Sequence, residues 1–200
     1  FLPLYHEKRA ILAEEDLDHP VKPPKRGQNS TVSEIGQFEL HSSSIRHLET
    51  GAVVPTEIRE ELPELVKLLK AKHETPVIVL DEGLGAGAAA LSSILIYEGL
   101  AQKQAVRPMH IVSVAKDLDA LRLALTHKKI FSWLRHGAAD TLLHRGAWKS
   151  RFCPGLSWSL AKDEEVPKPD LVLRTFKVVH AHHEAEVVDW SECLAESVSL

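Results

Sequence analysis

The sequence predicts an α/β fold built on a parallel sheet with helices on both faces. Three observations carry that prediction. Several short runs are apolar throughout, without polar alternation; helical stretches separate them; and the first run enters its helix through a glycine-rich turn. Strands buried on both faces read as continuous apolar runs, and a parallel sheet needs a crossover element between consecutive strands. The 200 residues suffice for one domain with its own core.

Taken in order, residues 16–33, DLDHPVKPPKRGQNSTVS, combine prolines and mixed charge with little that is apolar. They read as a linker preceded by a short helix. The expected division is therefore an N-terminal arm over 1–35 and a folded domain over 36–200. QFELHSSSIRHLETG (37–51) alternates as a small hairpin. TEIREELPELVKLLKAKH (56–73) places Ile58, Leu62, Leu65, Val66 and Leu69 on a helical stripe, with Pro63 either kinking it or starting a second helix. PVIVL (76–80) is a strand and 88–101 a helix; MHIVSV (109–114) is the next strand. DLDALRLALTHKKIFSWLRH (117–136) is then helical, with Asp117 as N-cap. LSWSLA (156–161) and DLVLRTF (170–176) are shorter strands, and HHEAEVVDWSECLAESV (182–198) closes the chain as a helix.

The glycine turn is the chemical centre of this pattern. A strand ending in Asp81 leads into Gly83, Leu84, Gly85 and Gly87, and a helix follows at once. Residues without a Cβ let a ligand lie against bare backbone, close to the unpaired amides of a helix N-terminus. A turn whose glycines serve packing alone is the plain alternative. Two cofactor classes share the geometry. As G-x-G-x-x-A (Gly83 to Ala88), the turn suits a dinucleotide pyrophosphate. With the acid at the strand end, D-x-G-x-G-x-G resembles motif I of the class I S-adenosylmethionine (SAM) methyltransferases, and Asp81, which a dinucleotide site does not need, favours SAM.

The resemblance extends through HSSSIRHLETGAVV, VIVLDEGLGAGAAALSSI, RPMHIVSVAKDLDALRLALTHKKIFSWLRH, PGLSWSL and PDLVLRTF. Over roughly residues 37–190 the chain is similar to the MnmC-like methyltransferases. These are related to the methyltransferase domain of the bacterial enzyme that completes 5-methylaminomethyl-2-thiouridine at the tRNA wobble position. The resemblance implies a Rossmann-like sheet with SAM over the carboxyl ends of its first strands, tRNA as partner, and methyl transfer to an amine of a modified uridine.

This chain also departs from the family pattern. Where the second strand should end in an acid that grips the ribose, it has Ala115; Asp117, two residues on, substitutes only if the loop bends back. Asp163 is a candidate for the acid near adenine, or else an exposed loop residue. The fourth strand should lead into an aspartate-containing stretch around the reacting amine, but carries Arg174, Thr175 and Phe176, with Trp190 as the later aromatic. No catalytic residue is assigned. The chain begins at Phe1 and stops at Leu200, so a fragment or a shortened protein lacking the C-terminal strands is expected. Residues 170–179 would then form an apolar edge bearing Leu171, Val172, Leu173, Phe176, Val178 and Val179, able to pair a second copy. Two functions follow: a SAM-dependent methyltransferase acting on tRNA, or a degenerate relative serving as a binding or assembly subunit. A dinucleotide oxidoreductase ranks third.

Other signals are weaker. A formal net charge of −4 supplies no whole-chain field for nucleic acid. Cys153 and Cys193 match no metal or redox spacing and suggest a reducing compartment. No apolar run approaches the roughly 18 residues that span a bilayer, so a cytoplasmic location without membrane contact is expected. HAHHE (180–184) is read as a polar segment rather than a metal site, Cys153 as no nucleophile, and the four tryptophans as packing residues.

Overall fold

The computed structural model describes residues 31–161, 166–175 and the backbone of 186–189. An N-terminal antiparallel sheet joins β1 (Phe38–His41), β2 (Ser44–His47) and β3 (Val53–Val54). Phe38 stands opposite His47 across this hairpin, the rings edge-on at 5.0 Å. Helix α1 (Pro63–Lys70) begins at its proline, which occupies the first helical turn, where its missing N–H costs nothing. Pro63 is thus a helix start, and the preceding residues 56–62 are not helical.

The main sheet contains β4 (Val77–Glu82), β5 (Met109–Val114), β6 (Ala147–Lys149), β7 (Leu156–Ala161), β8 (Leu171–Arg174) and β9 (Glu186–Asp189). Its spatial order is β6-β7-β5-β4-β8-β9, with β6 antiparallel to β7 and the remaining pairs parallel. Numbered along the chain, the parallel strands lie in the order 3-2-1-4-5. This is the Rossmann-like arrangement, and its topological switch falls between β4 and β8. Helix α2 (Ala88–Ala101) connects β4 to β5, while α3 (Asp119–Thr126) and α4 (Ala138–Arg145) lie between β5 and β6.

The pleat divides the core. Val77, Val79, Met109, Ile111 and Trp158 belong to the large cluster that includes α2 and α3, whereas Leu80, Val114 and Val172 form a smaller one. Alternate residues of β4 point to opposite faces, so both faces of its centre are buried. Helix α2 is buried on almost all sides. Its two buried serines are satisfied locally, Ser92 Oγ donating to the Ala88 carbonyl at 2.8 Å and Ser93 Oγ to that of Ala89 at 3.1 Å. Trp158 is fully buried, and Trp133 and Trp148 pack partly buried against the same core. Among the described residues, no helix is long and apolar enough to cross a membrane.

Several expectations need correction. The helix anticipated over 117–136 is broken after Thr126, and residues 132–136 form a 3-10 helix. Thr126 Oγ1 donates to the Leu123 carbonyl at 2.7 Å, the kind of local bond that competes with helix continuation. Phe131 and Leu134, both buried, stand at the spacing of three that a 3-10 turn brings into line. Helix α4 and strand β6 were not foreseen; left-handed Gly137 and Gly146 bound α4 at its two ends. Strand β4 also runs on past the apolar run 76–80 to Glu82.

The largest correction is at the C-terminal side. Residues 186–189 form a strand, not a helix, and pair in parallel with β8, Val187 opposite Val172. The β-branched pair Val187–Val188 suits an extended conformation. Strand β8 is therefore interior: Leu171, Val172 and Leu173 are fully buried, and the expected apolar edge at these residues does not exist. Phe176, Val178, Val179, HAHHE, Trp190 and Cys193 lie outside the described residues, as does the short helix expected near the N-terminus.

Candidate functional site

The carboxyl ends of β4, β5 and β8 meet at the glycine turn. Strand β4 delivers Asp81 and Glu82 to opposite faces, both fully buried. Asp81 stands in register with Ser113 on β5, and Ser113 Oγ donates to Asp81 Oδ2 at 2.6 Å. Trp158 Nε1 on β7 donates to the same Ser113 Oγ at 2.8 Å, and Thr175 Oγ1, just past β8, reaches Asp81 Oδ1 at 3.4 Å. Burial pushes the Asp81 carboxyl up to about 6, against the pull of its hydrogen bonds from Ser113 and Thr175, with the Glu82 charge a smaller upward influence. Glu82 Oε2 accepts from Arg174 Nε at 3.2 Å, so the arginine occupying the place of the expected acid holds a buried carboxylate.

Above this floor the backbone turns through left-handed conformations. Gly83 (φ 89°), Leu84 (φ 40°), Gly85 (φ 55°) and Gly87 (φ 83°) all have positive φ. Glycine adopts that region without penalty, whereas Leu84, 1 % exposed, is held there under strain. The Gly83 amide donates to the Val114 carbonyl at 2.9 Å, fastening the turn to the end of β5, and the Gly87 amide donates to the Leu84 carbonyl at 2.8 Å. A Cβ on Gly87 would meet Leu121 Cδ1 and Trp158 Cη2 at 3.4 Å, an ordinary contact, so it is the positive φ rather than the space that calls for glycine there. Gly87 is the N-cap of α2, no side chain caps that helix, and no acid lies in its first turn. The helix start is thus electropositive and suited to an electronegative ligand group.

The remaining candidates fall as follows. Ala115, at the end of β5, is partly buried against the core. Asp117 Oδ1 accepts the Asp119 amide at 3.0 Å, which places its carboxylate at the start of α3, one residue ahead of the N-cap Leu118. Asp163 lies outside the described residues. Sequence reasoning missed Glu82, Ser113, Thr175 and Asp119. Ser113 was detectable as the hydroxyl inside the apolar run MHIVSV; the others gave no local signal. Asp119 is fully buried and accepts from Ser33 Oγ at 2.5 Å, the Ile35 amide at 3.1 Å and the Gln37 amide at 3.4 Å. It ties the segment entering β1 to the first turn of α3. Among the described residues, no group of His, Cys, Asp or Glu converges to hold a metal ion.

No protein-family model matches the chain, and no curated protein matches it. Among solved structures it is similar to the crystal structure of MNMC2 from Aquifex aeolicus, with 16% sequence identity and a TM-score of 0.42. The match covers 86% of this chain and 57% of that one, so the chain spans little more than half the neighbour's length. So slight a likeness carries no argument; the strand order described above is what defines the fold.

Proposed function

We propose that the glycine turn binds S-adenosylmethionine and that the chain is a methyltransferase-type protein of the tRNA wobble-uridine modification group. One observation carries the reading. A buried acid at the end of β4 passes through a turn with four positive-φ residues into an uncapped helix, beside the topological switch of a 3-2-1-4-5 sheet. Residues 83–87 offer the bare backbone that the methionine and ribose portions of SAM require, and SAM supplies the methyl group when bound. Methyl transfer demands little of the protein beyond alignment and electrostatic fit. The tRNA acceptor comes into this reading from the sequence resemblance.

A second reading is a binding or assembly subunit on the same scaffold, favoured by what replaces the expected acids. Ala115 cannot grip a ribose, Asp117 is engaged at the start of α3, and Arg174 stands where the acceptor site calls for an acid. Calorimetry with SAM and with NAD separates the readings. SAM binding that is lost in Gly85→Ala and strengthened about ten- to hundredfold in Ala115→Glu supports the first. NAD binding in preference to SAM overturns it. Binding of SAM without methylation of tRNA selects the second.

A further inference from the structure

At the end of the sheet opposite the glycine turn lies a cavity of about 620 Å³. It opens between the last turn of α2, the segment 104–106 leading into β5 and the segment 152–155 leading into β7. Its size falls within the roughly 300–1,000 Å³ of small-molecule sites. The walls are apolar at Ala101, Val106 and Pro154, and Phe152 stands at the rim 93% exposed. Among the described residues it is the most exposed large hydrophobic side chain.

The acidic group of the cavity is Glu98. Glu98 projects from the C-terminal turn of α2, where the helix end is already negative and no basic residue of the last turn offsets it. His136 Nε2 contacts Glu98 Oε2 at 3.2 Å, the two side chains 19% and 22% exposed, and the imidazole packs edge-on against Trp148. This orients the carboxylate while leaving it accessible. Two neighbouring lining groups, Tyr97 and Cys153, are shifted toward their neutral forms. Burial, then the nearby Cys153, raises the Tyr97 phenol; burial, then Glu98, raises the Cys153 thiol. No lysine or arginine lines the cavity.

We propose that this cavity is a binding site for a small organic cation with a planar or apolar body, its charge on Glu98 and its body against Phe152. Charge-assisted hydrogen bonding to the carboxylate and stacking on the exposed ring then act together. The site is separate from the glycine turn and does not depend on the identity of any cofactor there.

Benzamidine, a planar cation, is a suitable probe, with benzamide as its neutral counterpart. Titration should show saturable benzamidine binding that weakens about tenfold in Glu98→Gln and severalfold in Phe152→Ala, with benzamide much weaker. The Phe152 variant guards against misfolding, because that side chain packs almost nothing. In a Cys193→Ser background, alkylation of Cys153 should slow as benzamidine fills the cavity. Three results overturn the proposal: no saturable benzamidine binding up to about 10 mM, equal binding of benzamide, or unchanged affinity in both Glu98→Gln and Phe152→Ala.

Discussion

Ser113 and Asp81 face each other in register across β5 and β4, and the 2.6 Å bond from Ser113 Oγ to Asp81 Oδ2 is one half of a relay. The other half is the Trp158 indole, which donates to the same hydroxyl at 2.8 Å. A serine hydroxyl has one proton to give and lone pairs to receive with, so both roles are filled at once. The relay fixes the ring of Trp158 beneath Gly87 and the carboxylate of Asp81 beneath the turn. Position 113 therefore couples strand packing to the shape of the candidate site.

Removing the hydroxyl should be costly. Ser113→Ala leaves the buried indole N–H without this acceptor and Asp81 without its shorter hydrogen bond, a loss of about 2–4 kcal/mol. Denaturant unfolding should show the midpoint falling accordingly. Because the lost bond favours the ionised form, Asp81 in the variant should titrate at a still higher pH.

The raised Asp81 value has a definite sign for stability. Between the ordinary 3.8 and about 6, the folded protein retains a proton that the unfolded chain has released. This contribution favours folding below the lower value, declines as pH rises through the window, and is lost above about 6; the full difference is about 3 kcal/mol. Asp81→Asn keeps an acceptor for Ser113 but cannot ionise. Unfolding measured at pH 4 and pH 8 should show the variant gaining on the wild type only at the higher pH. An unchanged difference at the two values would refute the assignment.

Glu82 and Arg174 should behave as a coupled pair. Arg174→Met removes the guanidinium from a fully buried carboxylate and should destabilise by about 3–5 kcal/mol. Adding Glu82→Gln should recover part of the loss, and a double-mutant cycle should give a coupling energy of about 1–3 kcal/mol. Additive losses would show that the two side chains act independently.

Asp119 holds the segment entering β1 by three hydrogen bonds, and Asp119→Ala should cost about 2–4 kcal/mol. Asp119→Asn retains an acceptor oxygen and should lose less. Limited proteolysis offers a second readout, since cleavage within residues 31–37 should speed up before global unfolding does.

The local pattern determined the architecture. Apolar runs at 76–80, 109–114 and 156–161 announced parallel strands, and the small-residue run after Gly87 matched α2 to the residue, because backbone preference and side-chain period are properties of neighbouring residues. The glycine turn was legible for the same reason: positive φ is a demand that glycine meets locally. Tertiary structure decided which acid does what. Asp81, Asp117 and Asp119 are all acids beside an apolar segment, yet Asp81 is set by Thr175, 94 residues away, and Asp119 by Ser33, 86 residues away, while Asp117 bonds only two residues on. Strand β9 and the cavity at Glu98 likewise depend on segments brought together from distant parts of the chain, where burial and pairing override local period. A single-residue pattern carries no record of such partners, so they emerge only when the sheet assembles.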